Sequence, residues 1–135
     1  MPNFIERRKR NFDFLNIQLE NVPYVKVVKK YDNADPSWFG MLITVDKDAP
    51  FTRNCLTSFL EKQKIQTRNL FAGNIIRHPC FEYLEKDIDY KVIGNLENTD
   101  YVMNNSFWIG VYPGMTNKQI DYMIEIIKDV TNDEK

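Results

Sequence analysis

The residues best suited to chemistry in this sequence lie in one segment, TRNLFAGNIIRHP, at positions 67–79. Its candidate residues are two arginines, the second of its two asparagines and the only histidine of the chain: Arg68, Arg77, Asn74 and His78. The planar guanidinium group donates two parallel hydrogen bonds, which suits phosphate or carboxylate groups. Because loops on a rigid scaffold often carry binding side chains, the segment is the first candidate for a ligand site. The plainer interpretation, a turn flanked by solvated arginines and an ordinary histidine, is favoured by the physics of the sequence alone.

Motifs of self-contained catalysis are missing from the rest of the sequence. There is no nucleophile elbow, Walker loop, GxGxxG or HExxH motif. Cys55 and Cys80 are too few for a disulfide scaffold and, with a single histidine, have no zinc-ligand spacing. A general base at His78 is one hypothesis, but a lone histidine before a proline is more often structural. The sequence therefore predicts no complete active site.

Size and charge exclude several classes of protein. A chain of 135 residues with 43% hydrophobic and 27% charged residues is typical of one globular domain. A net charge of -1 argues against nucleic-acid binding, including an RNA-binding α+β module, because such proteins are normally basic. No apolar run approaches the roughly 20 residues that span a bilayer, and the charged start lacks the apolar region of a signal peptide. We expect a cytoplasmic protein without nucleic-acid or membrane partners.

Apolar residues at helical spacing predict the helices that position this segment. The predicted helices cover 3–20, 53–64, 98–104 and the segment after Thr116, with a short turn at Pro79 and a frayed tail, 131–135. The predicted N-caps are Thr52, Thr116 and either Asn98 or Thr99, since these side chains can accept hydrogen bonds from free backbone N–H groups. The expected inward faces are Phe4, Ile5, Arg8, Phe12, Leu15 and Leu19 in the first helix, and Ile120, Met123, Ile124 and Ile127 in the last.

Runs of β-branched and aromatic residues predict the strands. They cover 24–30, 37–45, 66–71 and 107–113, with a brief extended piece at 90–93. The run SWFGMLITV is apolar almost throughout, which is typical of a central strand. The order of elements predicts an α+β, two-layer domain with a small, mainly antiparallel sheet of three to four strands and helices on one face. The opposite face is then exposed and suited to a partner domain.

Four segments resemble one known family. They are ERRKRNFDFL, DPSWFGMLITV, APFTRNCLTSFLEKQKIQTRNLFAGNIIRHP and NTDYVMNNSFWIGVYPGMT. Together they resemble the C-terminal small domain of the DegT/DnrJ/StrS family of sugar aminotransferases and dehydratases, which depend on pyridoxal phosphate (PLP). The motifs TRNLFAGN and NNSFWIGVYPG look most like the RfbH-like subgroup, the CDP-4-keto-6-deoxyglucose 3-dehydratases of lipopolysaccharide O-antigen biosynthesis. The resemblance covers almost all of the chain.

The resemblance implies that residues 1–135 are a single C-terminal small domain and that the large PLP-binding domain is absent. In the family that large domain holds the PLP phosphate site and the aspartate on the pyridine nitrogen. It also holds the lysine that carries the cofactor, or the histidine that replaces this lysine in the dehydratases. We therefore expect an excised domain or a truncated reading frame that binds no cofactor and is inactive alone.

The chemistry implied by the resemblance is removal of the C3 hydroxyl from a CDP-4-keto-6-deoxy sugar. Pyridoxamine phosphate (PMP) is the cofactor, and an iron–sulfur flavoprotein is the implied electron donor. The small domain would close one side of the CDP-sugar cleft in a homodimer, against its own large domain and a second subunit. The substrate contacts carried over by resemblance are Arg68, Phe71, Asn74, Arg77, His78, Trp38 and Phe39, with Tyr101 and Asn104 as weaker candidates.

Two departures from the subgroup pattern affect this transfer. The subgroup reads RQP where this chain has Arg77, His78 and Pro79, and it has a small residue and a tyrosine at Cys80 and Phe81. The change weakens the transfer at His78 most directly.

Two alternatives remain at the level of sequence. The first is a sugar aminotransferase of the same family. It would carry lysine where the dehydratase carries histidine, at a cofactor position that lies outside this chain. A stand-alone, non-catalytic binding module would show a polar sheet face and a stable monomer. An exposed apolar face would instead favour a partner or self-association.

Overall fold

The structure is a computed structural model that describes residues 2–132. Within that range the helices are α1 (Pro2–Leu19), α2 (Arg53–Lys62), α3 (Glu97–Asn105) and α4 (Asn117–Asn132). The strands are β1 (Val25–Val27), β2 (Gly40–Val45), β3 (Thr67–Asn69) and β4 (Ser106–Gly110). Two single 3-10 turns, Ile75–Arg77 and Pro79–Phe81, lie between β3 and α3. The predicted α+β class is confirmed.

The strands form one antiparallel sheet in the order β1-β2-β4-β3. β2 lies inside the sheet, as its apolar sequence predicted. Directly opposed residues share a face of a sheet, so the register decides which side chains meet. Ile43 lies opposite Phe107, on the face toward the helices. Trp108 lies opposite Leu42 on one side and opposite Arg68 on the other, which forms a row on the second face.

The hydrophobic core lies between one sheet face and the layer of α1, α2 and α4. The fully buried strand residues are Met41, Ile43, Val45, Phe107 and Ile109. The helices contribute Phe12, Leu15, Leu19, Leu56, Leu60, Ile120, Met123, Ile124 and Ile127. The predicted stripe of α4 is thus confirmed. The predicted inward face of α1 is wrong at Phe4 and Ile5, which are exposed, because α1 is buried only from Asn11 onward.

The N-caps of two helices follow the prediction. The Thr52 hydroxyl accepts a hydrogen bond from the backbone N–H of Cys55 at the start of α2. Thr116 and Gln119 bond each other's backbone N–H groups, a capping box at the start of α4. The predicted cap of α3 is wrong, because its cap position is Leu96 (φ 54°), which makes no side-chain cap. The side chain of Asn95 accepts from the first N–H of α3 instead.

The predicted elements are longer than the observed ones at several ends. β2 begins at Gly40 because the chain bends at Phe39, and β4 ends before the turn that contains Pro113. The extended piece predicted at 90–93 is no strand, and only Tyr90 makes an isolated bridge, with Lys86. Of the tail predicted to fray, 131–132 still belong to α4 and 133–135 lie outside the described residues. From Pro2 to Asn132, no helix is long and apolar enough to cross a membrane.

Candidate functional site

An aromatic cluster lies on the sheet face turned away from the helix layer. Its centre is Trp108, in the middle of β4. The ring centroid of Phe39 lies 5.1 Å from that of Trp108, and the centroid of Phe71 lies 6.3 Å from it on a tilted plane. Arg68 of β3 is opposite Trp108 in the sheet register. We call Phe39, Arg68, Phe71 and Trp108 the aromatic wall.

Most of the aromatic wall is open to solvent. Phe39 is 57% exposed and Phe71 is 75% exposed, while Trp108 is half-buried between them. Large aromatic side chains exposed together mark binding surfaces, because each leaves apolar area in contact with water. Nε1 of Trp108 is shielded from solvent and has no acceptor among the described residues. The wall therefore offers flat apolar area beside the charge of Arg68.

A cleft of about 530 Å³ begins at this wall and runs toward the start of α4. Its lining includes Lys64 and Gln66 next to β3 and Tyr112, Met115 and Gln119 near the start of α4. Among the described residues that line the cleft, Lys64 and Arg68 are the cations and none is a carboxylate. This charge distribution attracts anions such as phosphate groups.

The loop after β3 is held by a carboxylate of α3. Nδ2 of Asn74 donates to Oδ1 of Asp100 at 2.7 Å, and the guanidinium of Arg77 donates to Oδ2 at 3.0 Å. Asn74 is only 2% exposed, and its own Oδ1 accepts from the N–H of Ile76 at 3.3 Å. The N–H of Asn74 points to Sδ of Met103 at 3.2 Å. These contacts fix the loop at both its backbone and its side chains.

The charges in this loop shift two pKa values. The hydrogen bonds from Arg77 and then from Asn74 hold the pKa of Asp100 below its usual range. The same carboxylate raises the pKa of Arg77. Nε2 of His78 contacts the carbonyl oxygen of Ala72, which closes the loop on itself. The side chains of Asn74, Arg77 and His78 thus all make contacts inside the chain.

The structure separates Trp38 from the residue that follows it. Trp38 is half-buried and stacks on Phe12 of α1, with ring centroids 5.1 Å apart. Phe39 instead contacts Trp108 on the opposite side of the sheet. Neighbouring strand residues point to opposite faces, and alternation counted back from the buried Met41 would place Phe39 on the core face. The bend at Phe39 reverses this assignment, so that Phe39 faces Trp108 and Trp38 faces α1. Of these two predicted residues, the structure brings only Phe39 to the aromatic wall.

The two further candidates lie on α3. The hydroxyl of Tyr101 donates to the carbonyl oxygen of Val45 at 3.1 Å, so it joins α3 to the end of β2. Nδ2 of Asn105 donates to the same oxygen at 3.1 Å. Asn104 is exposed. The structure does not bring Tyr101 and Asn104 into the cluster around Trp108.

Two residues of the site were missed at the level of sequence. Trp108 falls inside the predicted strand 107–113 without standing out as a site residue, although its alternation with Phe107 and Ile109 places it on the other face. The register with Arg68 needed the folded sheet. Asp100 carried no signal, because its partners lie 23 and 26 positions away in the sequence.

The chain's own residues do not fit a complete cofactor site. A PLP site usually supplies a lysine for the aldehyde and a partner for the pyridine nitrogen, which is commonly a carboxylate. The described lining of the cleft offers Lys64 but no carboxylate, and the cleft is open. Over residues 2–132 no group of three or more histidine, cysteine, aspartate or glutamate side chains is placed to hold a metal ion. No step of cofactor chemistry is therefore assigned to these residues.

Fold and site together define a small α+β domain with a closed core on one sheet face and an aromatic, cationic surface on the other. The profile of the DegT/DnrJ/EryC1/StrS aminotransferase family matches residues 1–128, and the chain belongs to this family. The resemblance seen in the sequence motifs is confirmed.

Two curated relatives are more than 40% identical to this chain. The lipopolysaccharide biosynthesis protein RfbH of Salmonella typhimurium is 43% identical over 125 residues, which are 92% of this chain and 28% of that protein. The dTDP-4-dehydro-2,6-dideoxy-D-glucose 3-dehydratase of Saccharopolyspora spinosa is 44% identical over 126 residues, 93% of this chain and 26% of that protein. The chain thus spans just over a quarter of the length of these curated relatives.

A solved relative shares the fold over nearly the whole chain. The GDP-4-keto-6-deoxy-D-mannose-3-dehydratase of Escherichia coli, with bound hydrated PLP, superposes with a TM-score of 0.81 at 27% identity. The superposition covers 94% of this chain and 31% of that structure.

Proposed function

We propose that this chain is the small domain of a PLP- or PMP-dependent nucleotide-sugar 3-dehydratase of deoxysugar or lipopolysaccharide biosynthesis. In this proposal the aromatic wall closes one side of the substrate cleft. The observation that carries it is the pair of exposed rings, Phe39 and Phe71, beside Arg68 on the sheet face that the helix layer leaves free. The 44% identical 3-dehydratase supports the reaction class, and the 43% identical RfbH supports a role in lipopolysaccharide biosynthesis.

Three of the four wall residues contact the ligand directly in this proposal. The guanidinium of Arg68 pairs with the diphosphate of a CDP-sugar, and Lys64 adds positive charge at the cleft. Phe39 and Phe71 pack against the flat faces of the sugar or the base. The solved GDP-4-keto-6-deoxymannose-3-dehydratase with bound GDP-perosamine supports a nucleotide sugar as the ligand class. Arg77, whose side chain is 61% exposed, can add a second cation from the loop.

The cofactor belongs to another part of the enzyme in this proposal. When bound there, PLP or PMP supplies the chemistry at the sugar C3 and C4 positions. The residues of this chain bind the nucleotide sugar, orient it and exclude water from one side of the cleft. The proposed partners are the large PLP-binding domain of the same enzyme and a second subunit, with an iron–sulfur flavoprotein as electron donor.

A nucleotide titration of the 135-residue chain tests the proposal. We expect CDP-glucose to shift the NMR signals of the Trp108 indole N–H and of the Arg68 and Phe71 amides. Because one wall buries little of the ligand, the dissociation constant should be on the order of 1 mM. Arg68→Gln should weaken binding about five- to tenfold, since it removes a charge-assisted contact.

The matched control is Arg7→Gln, which removes the same charge from an exposed position on α1. An equal loss of affinity in both variants would show that only net charge matters and would contradict the proposed contact. Shifts confined to the helix layer would contradict it as well.

The choice between dehydratase and aminotransferase needs the reading frame upstream of Met1. Aminotransferase structures such as that from Brucella abortus are 16% identical, so they support the fold but not the activity. If the frame continues into a PLP-binding domain, histidine at the cofactor-lysine position supports the dehydratase and lysine supports the aminotransferase. A stop codon and a ribosome-binding site directly upstream would leave the stand-alone binding module.

A further inference from the structure

The segment between β3 and α3 is ordered with little regular structure of its own. It contains two single 3-10 turns, and most of its side chains are exposed. Asn74 is the exception, buried beside Asp100 and Met103. A polar side chain is rarely buried unless its hydrogen bonds are satisfied. The contacts of Asn74 therefore fix the first part of this segment against α3.

α3 offers the segment one charged and one apolar anchor. Asp100 and Met103 are three positions apart, so they lie on the same face of the helix. Gly73 has φ +62°, and a Cβ atom built there would lie 2.4 Å from Cγ of Met103. The chain thus passes against Met103 so closely that only glycine fits, and the Asp100 carboxylate receives the next residue, Asn74.

The anchor is itself fixed to the sheet. The side chains of Tyr101 and Asn105 both donate to the carbonyl oxygen of Val45, at the end of β2. Phe71 lies two residues before Gly73, and its ring lies next to that of Trp108. A continuous set of contacts therefore runs from β2 through α3 and the loop to the aromatic wall.

We propose that Asp100 is a positioning residue, which holds the 72–78 loop against α3 and thereby sets Phe71 over Trp108. Asp100 does not touch the ligand; it acts through Asn74 and Arg77. Its effect on ligand affinity rests on the proposed function, whereas its effect on the loop does not.

An exposed ion pair alone would be a weak basis for this role, because such pairs contribute little to the stability of a folded structure. The Arg77 guanidinium is largely exposed, but the second partner of Asp100 is the buried amide of Asn74. Losing the acceptor of a buried donor costs more than losing an exposed ion pair. An asparagine at position 100 keeps one acceptor oxygen and places an NH2 group against the other donor, so it cannot accept from both Asn74 and Arg77. The lowered pKa of Asp100 agrees with a carboxylate that is needed in its charged form.

Hydrogen exchange of the ligand-free chain tests the role of Asp100 directly. In Asp100→Asn we expect the amides of Asn74, Ile76 and Arg77 to exchange roughly tenfold faster, because their local bonds depend on the anchored loop. Amides of α1 and α4 should keep their rates. The matched control is Asp13→Asn, at an exposed position of α1, which should change none of these rates.

Unchanged exchange at the three loop amides in Asp100→Asn, or equal acceleration in Asp13→Asn, would overturn the proposal. If Asp100→Asn does not fold, Arg77→Gln replaces it, because that side chain is 61% exposed and its loss leaves the core intact. It should accelerate exchange at the same amides by a smaller factor. No acceleration there would also overturn the proposal.

Binding of CDP-glucose provides the second readout. We expect Asp100→Asn to weaken binding several-fold, and Asp100→Glu, which keeps the carboxylate, to restore part of both affinity and protection. Unchanged affinity together with a loosened loop would overturn the link to the aromatic wall. If the wild-type chain does not bind CDP-glucose, the proposed function fails, while the ligand-free exchange rates still decide the role of Asp100.

Discussion

The two faces of the sheet are formed by the same strands, but they differ in how far their side chains are buried. Toward the helices, Ile43 and Phe107 are fully buried by α1, α2 and α4. On the other face, Trp108 is only half-buried, and the rings beside it, Phe39 and Phe71, are largely exposed. The sequence predicted that this second face is exposed. In the structure its rim is open to solvent, whereas Trp108 at its centre is partly covered.

This contrast separates stability from recognition. Burial of apolar area dominates the first face and does not depend on the direction of contacts. Hydrogen bonds from single side chains, above all those to Asp100, organise the loop beside the second face. We therefore expect changes on the helix side to affect global unfolding and changes on the wall side to affect local order and binding.

The largest difference should appear between two phenylalanines. Phe107→Ala leaves a cavity in the core and should lower the free energy of unfolding by about 3–5 kcal/mol. Phe71→Ala removes a ring that is mostly in water and should cost less than about 1 kcal/mol. Urea denaturation followed by circular dichroism measures both. Similar costs for the two variants would mean that the wall is part of the core.

Two glycines with positive φ provide a comparison within the wall side. Gly73→Ala adds a Cβ against Met103 at φ +62° and should cost about 2 kcal/mol. Gly94→Ala, at φ +80° in open space, should cost only the backbone strain, about 1 kcal/mol. The difference in urea midpoint isolates the contact with Met103. Equal costs would show that Met103 moves aside freely.

Self-association should involve exposed apolar residues in the segment between β3 and α3. The chain exposes Ile88 (77%) and Ile93 (86%) in the segment before α3. We expect dimers or larger species in sedimentation at millimolar concentration, because exposed apolar groups associate weakly. Ile93→Ser should raise the dissociation constant about threefold, which is roughly 0.6 kcal/mol. A clean wild-type monomer at the same concentration would contradict this expectation and favour a stand-alone module.

The smallest effect should be the response to acid. The folded-state pKa of Asp100 is lowered, so its contribution is present above the ordinary aspartate value of about 3.9 and is lost as the pH falls through the lowered pKa. We expect exchange protection of the Asn74 and Ile76 amides to decline below about pH 4, relative to the core amides. In Asp100→Asn this relative decline should be absent. An identical acid response in that variant would assign the effect to other carboxylates.

The sequence predicted the helix layer well because local and tertiary preferences agree there. The stripe of α4 and the caps at Thr52 and Thr116 need only helical spacing and short side-chain bonds. The prediction failed where tertiary contacts decide. Phe4 and Ile5 have the right spacing for burial, but the core does not extend to them.

The site was predictable only in part. Arg68 and Phe71 stand out by residue type, and the structure brings them to one surface with Phe39. Asn74 and Arg77 stood out for the same reason, yet the fold directs their side chains to Asp100. Residue type identifies a side chain that can bind a ligand, but it does not show whether another residue of the folded chain already bonds that side chain.

The sequence by itself determined the family, the α+β class and the apolar faces, because these depend on motifs and on short-range periodicity. Only the tertiary structure decided that Trp108 lies beside Arg68 and that Phe39, rather than Trp38, lies on the same sheet face as Trp108. It also decided that Asp100 anchors the loop. These contacts join positions far apart in the chain, and their geometry depends on strand register and on a bend, neither of which a local pattern specifies.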